Sequence, residues 1–421
     1  MRRASGKRIV RAGLALAICG ALGTVAGCGA GGAIGNRISG DVLTVYESIP
    51  LHGASRSSAQ AVVAGAQLAL VQARDGVGRY HVVARVLDDS TAARGQWDPG
   101  QTTINAHVAA ADKTAIGYMG ELNSGASAIS IPVLNRAGIA QITPASTAVG
   151  LTGDGPGAAP GEPAKYYPTG SRTFARVVPN DSVQAAAMVR LQLLSGCSKT
   201  YVLDDGEFDG EDTATTFELT ARPTSLQVVA VQSYDPTATD YRSLASSVAQ
   251  TRADCVLISA LTENHAALLT EQVAAALPEA RIFGCAALAE TSFADPAHGG
   301  IPLAIDRRVL LTSPTLAPRA VGRAATAFWA AYDRGPGPVE PTAVFGYEAM
   351  KLMLSAIGRA TDGGKRPVQR SGVVAALFAT RDRHSAVGTY TIDRDGDTTL
   401  RRYGAYRIVG GRLAFWRVID V

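Results

Sequence analysis

Ala115-Ile116-Gly117-Tyr118-Met119-Gly120-Glu121-Leu122-Asn123-Ser124-Gly125-Ala126-Ser127 runs from an apolar strand, through a polar turn, into an Ala-rich helix that extends to residue 135. A strand that turns straight into a helix is the joint of a βαβ unit. In an open parallel sheet that joint lies at the carboxyl end of the strand, where ligands bind. Free backbone N–H groups, the helix dipole and the Ser124 hydroxyl together suit the place to a carboxylate. Pro144-Ala145-Ser146-Thr147 repeats the arrangement after the next strand, 139–142. Taken singly, Ser124 and Thr147 also read as helix N-caps. Two such turns on adjacent strands, opening on one crevice, point to ligand binding.

Outward from this joint the alternation continues in both directions. Before it come strand 42–46, helix 57–73, strand 81–87 and helix 102–111. After the short strand-like 176–178 a second series begins: helix 182–194, strand 200–203, helix 208–220, strand 226–232, helix 241–251, strand 255–258, helix 264–276 and strand 281–283. Between the series, residues 152–161 are rich in Gly and Pro and read as a surface loop. A strand at 308–312 precedes helices near 319–332, 342–359 and 372–378. Segments 388–392, 400–408 and 413–418, separated by Asp395-Gly396 and Gly410-Gly411, read as turn-linked antiparallel strands. The count predicts an α/β protein with two doubly wound lobes.

The amino terminus has a different character. Arg2, Arg3, Lys7, Arg8 and Arg11 precede an apolar run over 12–25, which Gly27 and Cys28 close. Basic residues, a short apolar stretch, small residues and cysteine form a secretory leader ending in a lipobox, with cleavage before Cys28 and acylation of its thiol. The apolar run falls short of the roughly 20 residues that span a bilayer. An ordinary signal peptide cut elsewhere is the other reading. The whole chain carries a formal +4, and the five basic residues of the first 27 leave the remainder at −1. With charges dispersed and no basic tract, nucleic acid is excluded as a partner.

Beyond the leader and Cys28, three cysteines remain: Cys197, Cys255 and Cys285. Cys197 precedes one strand of the second series and Cys255 opens another. If the two strands are neighbours and parallel, both sulfurs lie at one edge of the sheet, which predicts a Cys197–Cys255 disulfide. Cys285, at the far end of its strand, is expected to be a buried thiol. The six histidines are scattered singly, so no metal site is predicted. Asp393-Arg394-Asp395-Gly396-Asp397 lacks the calcium-loop spacing, with Gly404 at the twelfth place, and reads as a hairpin turn. The single Gly-x-Gly-x-x-Gly match, Gly27 to Gly32, follows no strand, and no nucleophile elbow, P-loop or His-Glu-x-x-His occurs. Neither an enzymatic activity nor a cofactor is predicted.

Over nearly its whole length after the leader the chain resembles the solute-binding proteins of branched-chain amino acid ABC transporters, and looks most like the lipoprotein members from actinobacteria. The most specific matches are 118–127, Gln141 to Thr152 and Arg176-Val177-Val178-Pro179-Asn180-Asp181; Val202-Leu203-Asp204-Asp205, Phe345 to Met350 and Gly388-Thr389-Tyr390 add to them. The resemblance implies two Rossmann-like lobes of the type I periplasmic-binding-protein clamshell, joined by three crossovers, with the last strands returning to the second lobe. Residues 1–27 would be the signal peptide and 28–40 a flexible tether. Residues 41–176 and 313–384 would form lobe 1, and 177–312 with 385–421 lobe 2.

The resemblance assigns the ligand to an interlobe cleft at Leu122, Asn123, Ser124, Ala145, Ser146 and Thr147. Ser124 matches the serine that bonds a ligand carboxylate, and Ala145 and Thr147 match groups meeting carboxylate and ammonium. Phe208 stands where the second lobe offers a Tyr. Gly284-Cys285-Ala286-Ala287 departs from the family's Gly-Pro-Asp/Glu-Gly, so that Ala286 replaces the acid that pairs with the ammonium. Glu121, Asp205, Glu207 and Glu290 are the acids named to supply that charge. The expected function is capture of a small polar solute, an amino acid, amide or carboxylate, by hinge closure. Delivery would go to an ABC permease and its ATPase from a lipid anchor on the outer face of the cell membrane. A sensor that signals to a membrane receptor is the alternative.

Overall fold

The computed structural model describes residues 36–335, 337 and 339–421. Cys28 and the leader lie outside the described residues. The first series comprises β1 (Val42–Ile49), α1 (Arg56–Gln72), β2 (Gly76–Val77), β3 (Tyr80–Asp88), β4 (Ser90–Thr91), β5 (Gln96–Trp97), α2 (Pro99–Ala111), β6 (Ala115–Met119), α3 (Ser124–Arg136), β7 (Ala140–Thr143) and β8 (Phe174–Arg176). The second comprises α4 (Asp181–Leu194), β9 (Lys199–Asp204), α5 (Phe208–Ala221), β10 (Gln227–Ser233), α6 (Arg242–Gln250), β11 (Cys255–Ser259), α7 (Ala266–Ala276), β12 (Arg281–Gly284), α8 (Thr291–Ala294) and β13 (Val309–Ser313). There follow α9 (Pro318–Val321), α10 (Arg323–Tyr332), α11 (Ala343–Ala360), α12 (Arg370–Phe378), β14 (Arg383–Ser385), β15 (Gly388–Tyr390), β16 (Arg402–Ile408) and β17 (Leu413–Asp420).

Two sheets organise these elements. One has the order β2-β3-β1-β6-β7-β8, the other β10-β9-β11-β12-β13-β16-β17. Within each, five strands are parallel and follow the same doubly wound order, so that each sheet reverses direction beside its first strand, β1 or β9. Such a switch point opens a crevice at the carboxyl ends of the strands. β6, β7, β9, β11, β12 and β13 are short and almost wholly buried, as parallel strands covered on both faces are. The final hairpin, β16 and β17, joins the second sheet antiparallel to β13.

Each sheet has its own core. The first gathers Leu43, Val45, Val62, Ile116, Ile142, Phe345, Met350 and Met353; the second Val202, Phe217, Leu257, Phe283, Leu311 and Tyr403. In the first lobe α1 and α11 cross at backbone contact. A Cβ at Gly65 would lie 2.1 Å from the Ala343 carbonyl oxygen, and one at Gly346 2.1 Å from that of Val62. Only glycine permits this approach. The crossing brings Ser58, Thr342 and Phe345 to the same edge of the lobe.

The structure amends several expectations. The helix expected at 319–332 breaks at Gly322, whose φ of 125° no L side chain adopts comfortably, giving α9 and α10. The segment at 388 pairs with β14 as a separate hairpin, and its Ala386, Val387 and Tyr390 pack in the first lobe's core. Val177 and Val178 pack there too. Asn36 bonds Arg370 and Ser371, and Ile38 is buried in the first core, which shortens the flexible segment expected to reach residue 40. The turn at Asp393 is built by its own carboxylate, which accepts the N–H groups of Asp395, Gly396 and Asp397. The predicted Cys197–Cys255 disulfide is present, between the start of β11 and the approach to its parallel neighbour β9, and Cys285 is a buried free thiol. Among the described residues no helix is long and apolar enough to cross a membrane.

Candidate functional site

The carboxyl ends of both sheets meet around a cavity of about 120 Å³. From the first lobe come Ser55 and Ser58 after β1, Leu122 and Asn123 after β6, and Ala145 and Thr147 after β7. From the second come Asp209 at the start of α5, Ala260 and Leu261 after β11, the segment from Cys285 to Glu290 after β12, and Ser313 after β13. A void of roughly this size accommodates one small molecule, as a cavity of about 150 Å³ accommodates benzene.

Polar bonds across the crevice hold the lobes together. The Ser55 N–H donates to Glu263 Oε1 at 2.9 Å, and the Ser55 and Ser58 hydroxyls donate to the two oxygens of Glu290 at 3.3 and 2.9 Å. Gln96 donates to Asn264 at 3.2 Å, and Arg94 stands 3.5 Å from Glu207. At the joint between β6 and α3, the Ser124 N–H donates to both oxygens of Asp209, at 2.8 and 3.1 Å. The molecule is therefore in a closed arrangement.

Of the seven ligand residues predicted from sequence, Leu122, Asn123, Ala145 and Thr147 line the cavity; Ser124, Ser146 and Phe208 do not. The Ser124 hydroxyl is fully buried and accepts the N–H groups of Thr147 and Ala148, both at 3.1 Å. Ser146 donates to the Glu121 carbonyl at 3.0 Å and bonds Ser127. Phe208 packs against Ile131, Ala148 and Phe174 of the first lobe. These three residues shape the walls from behind.

Among the acids named as substitutes at Ala286, Glu290 alone lines the cavity. Glu121 lies beneath it and accepts the Tyr118 hydroxyl, Asp205 is held by Leu261 and Asn264, and Glu207 faces Arg94. Ala286 itself lines the cavity and donates its N–H to Gln184. Asp209 escaped the sequence reading; its one signal was an acidic residue in the first turn of a helix, an arrangement that usually only balances the dipole.

Burial dominates the electrostatics. It pushes the Glu290 carboxyl up to about 8, reinforced by the charge of Glu263, and the Asp209 carboxyl up to about 7 against the pull of the Ser124 N–H. Burial likewise raises Glu47 to about 8 and Glu121 to about 7, and raises Asp205, Glu263 and Glu340. Each of these groups holds its proton in the folded state at a pH where the unfolded chain has lost it. Their stabilisation is thus complete below the unfolded values near 4 and is lost as pH rises towards 8. Asp88, Asp112 and Glu162, whose values are lowered, act oppositely and only in acid. Without solute the protein is expected to melt several degrees higher at about pH 5 than at about pH 8.5. Calorimetric scans across that range check this, and the reverse order would refute the assignment of protonated acids.

A family model described as "Periplasmic binding protein" matches residues 48–412. No curated protein matches the chain. Among solved structures, a leucine binding protein from Thermotoga maritima is similar with a TM-score of 0.76 at 21% identity, covering 90% of this chain and 99% of that one. A branched-chain amino acid transporter substrate binding protein from Streptococcus pneumoniae, in complex with isoleucine, gives 0.74 at 17% identity, with 90% and 100% covered. An ABC transporter solute binding protein from R. palustris, in complex with benzoate, gives 0.72 at 18% identity, with 90% and 96% covered. At these identities the likeness is one of fold.

Proposed function

Because the chain belongs to the periplasmic binding protein family, we propose that it is the extracytoplasmic solute receptor of an ABC importer. It captures a small polar molecule between its lobes and presents the closed form to a permease that is driven by an ATPase. Acylation at Cys28 tethers the receptor to the outer face of the membrane. The observation that carries this reading is the cavity at the carboxyl ends of both sheets, walled by residues of both lobes. Leu122, Asn123, Ala145, Thr147, Asp209, Ala286 and Glu290 are the residues we assign to the solute. Closure supplies the signal, since hinge motion around a ligand gives a partner two distinct shapes to distinguish.

A thermal-shift screen across amino acids, amides, ureas, amines and carboxylic acids tests the proposal. A solute at about 100 times its dissociation constant stabilises the folded state by roughly 2.7 kcal/mol, a shift of several degrees. A flat response to every small solute contradicts it.

A further inference from the structure

The chemistry of the cavity wall defines a solute class, provided the cavity is the solute site as proposed above. We infer that the solute is a small amine or amidine, cationic and without a carboxylate.

The first ground is where the backbone donors go. The amino terminus of α3 is the natural seat for an anion in such a crevice. Here the seat is already taken, since the Asp209 carboxyl group reaches across from the other lobe to accept the Ser124 N–H. The loop after β7 is likewise spent. The N–H groups of Ala145 and Ser146 donate to Thr143 Oγ1 at 3.1 and 2.9 Å, and those of Thr147 and Ala148 to the Ser124 hydroxyl. An entering carboxylate would find its expected donors occupied by the protein's own oxygens.

The second ground is charge. Among the described residues, two carboxyl groups, Asp209 and Glu290, line the cavity, and no Lys, Arg or His does. Glu290 is 5% exposed and is fixed by the hydroxyls of Ser55, Ser58 and Ser292, so both its oxygens have defined positions. A carboxylate in this space adds a third acid with no cation to meet it, whereas an entering cation draws off the protons that burial holds on Asp209 and Glu290. An ammonium or amidinium supplies the missing cation and the donors that two carboxylates accept. Leu122, Val178, Ala289 and Phe345 give the wall an apolar part, suited to a short hydrocarbon body.

The test uses one carbon skeleton with three head groups. Isopentylamine, leucine and isovalerate are titrated calorimetrically into the intact protein, with benzylamine and benzoate as an aromatic pair. One of the amines is expected to bind at least tenfold more tightly than its carboxylate-bearing partners. E290Q is expected to weaken that amine at least tenfold, and D209N to narrow the preference of amine over carboxylate. Selectivity measured on the unmodified protein keeps the test decisive even where a variant fails to fold. Tighter binding of leucine, isovalerate or benzoate overturns the inference and leaves the solute-receptor reading intact. A screened solute that binds without an amine or amidine does the same. If nothing binds, both fall.

Discussion

Replacing Arg176 by methionine is expected to destabilise the protein by about 3–5 kcal/mol, the range for removing one partner of a buried charged network. Arg176 is fully buried at the end of β8. Its Nε lies 2.7 Å from Asp397 Oδ1, in the turn between Asp393 and Asp397. Its terminal nitrogens donate to the carbonyls of Ser146 and Ala148, each at 3.1 Å, and to the Thr152 hydroxyl at 2.6 Å. One side chain therefore ties β8 and the Asp397 turn to the loop that presents Ala145 and Thr147 to the cavity. Methionine fills the volume but leaves the Ser146 carbonyl without its donor and the Ala148 carbonyl with only the 3.4 Å bond from the Leu151 N–H, and a buried group left unsatisfied costs about 1–3 kcal/mol. The melting temperature is expected to fall by on the order of 10 °C, and solute affinity to fall with it. Asp397→Asn is expected to cost less than half as much, because the Asp397 side chain is 18% exposed and Thr152 and Asn180 also bond it. An R176M variant that melts within about 2 °C of the parent would remove this residue from its place in the account.

Loss of the Cys197–Cys255 disulfide is expected to destabilise by a similar amount without touching the cavity. The bridge joins residues 58 apart in sequence, and closing a loop of that length removes about 4 kcal/mol of conformational freedom from the unfolded chain. It sits at the amino-terminal edge of the second sheet, opposite the carboxyl ends that wall the solute space. C197S/C255S is therefore expected to melt on the order of 10 °C lower while binding solute with unchanged affinity below its transition. A variant that keeps its melting temperature but loses binding would show that the bridge shapes the site.

The pairing of these cysteines was legible in the sequence because it depended on strand order alone. So were the two sheets and the crevice at their carboxyl ends, since alternating apolar runs and Ala-rich helices leave little choice of architecture. What a hydroxyl bonds is a different question. Ser124 sits where sequence placed it, at the entry to α3, yet its oxygen satisfies Thr147 and Ala148, 23 and 24 residues away. A serine at a helix start reads the same whether it meets a ligand or a neighbouring loop. The acids show the same limit more strongly. Asp209 reaches Ser124 across 85 residues of sequence, and Glu290 meets Ser58 across 232. Such distant pairings arise only when the lobes close, so no local pattern announces them. The small hairpins β4–β5 and β14–β15 were missed or misplaced for a related reason: their two- and three-residue strands are set by packing against the first lobe, not by propensity.

Asp209 also changes what the departure at Ala286 means. Read from sequence, Ala286 was a missing acid. In the folded chain the cavity has acids to spare, supplied by Glu290 from the same loop and Asp209 from α5. On the inference drawn above, the partner these acids await is a cation.

Calorimetric titration of the parent protein and of A286W with the tightest-binding solute of the screen tests the central claim most directly. Ala286 lines the cavity, and an indole there fills the space a solute needs. Binding at one site per chain in the parent, and at least tenfold weaker binding in A286W with unchanged circular dichroism, is the predicted result. Equal affinity in both would place the solute outside the interlobe cavity and contradict the account.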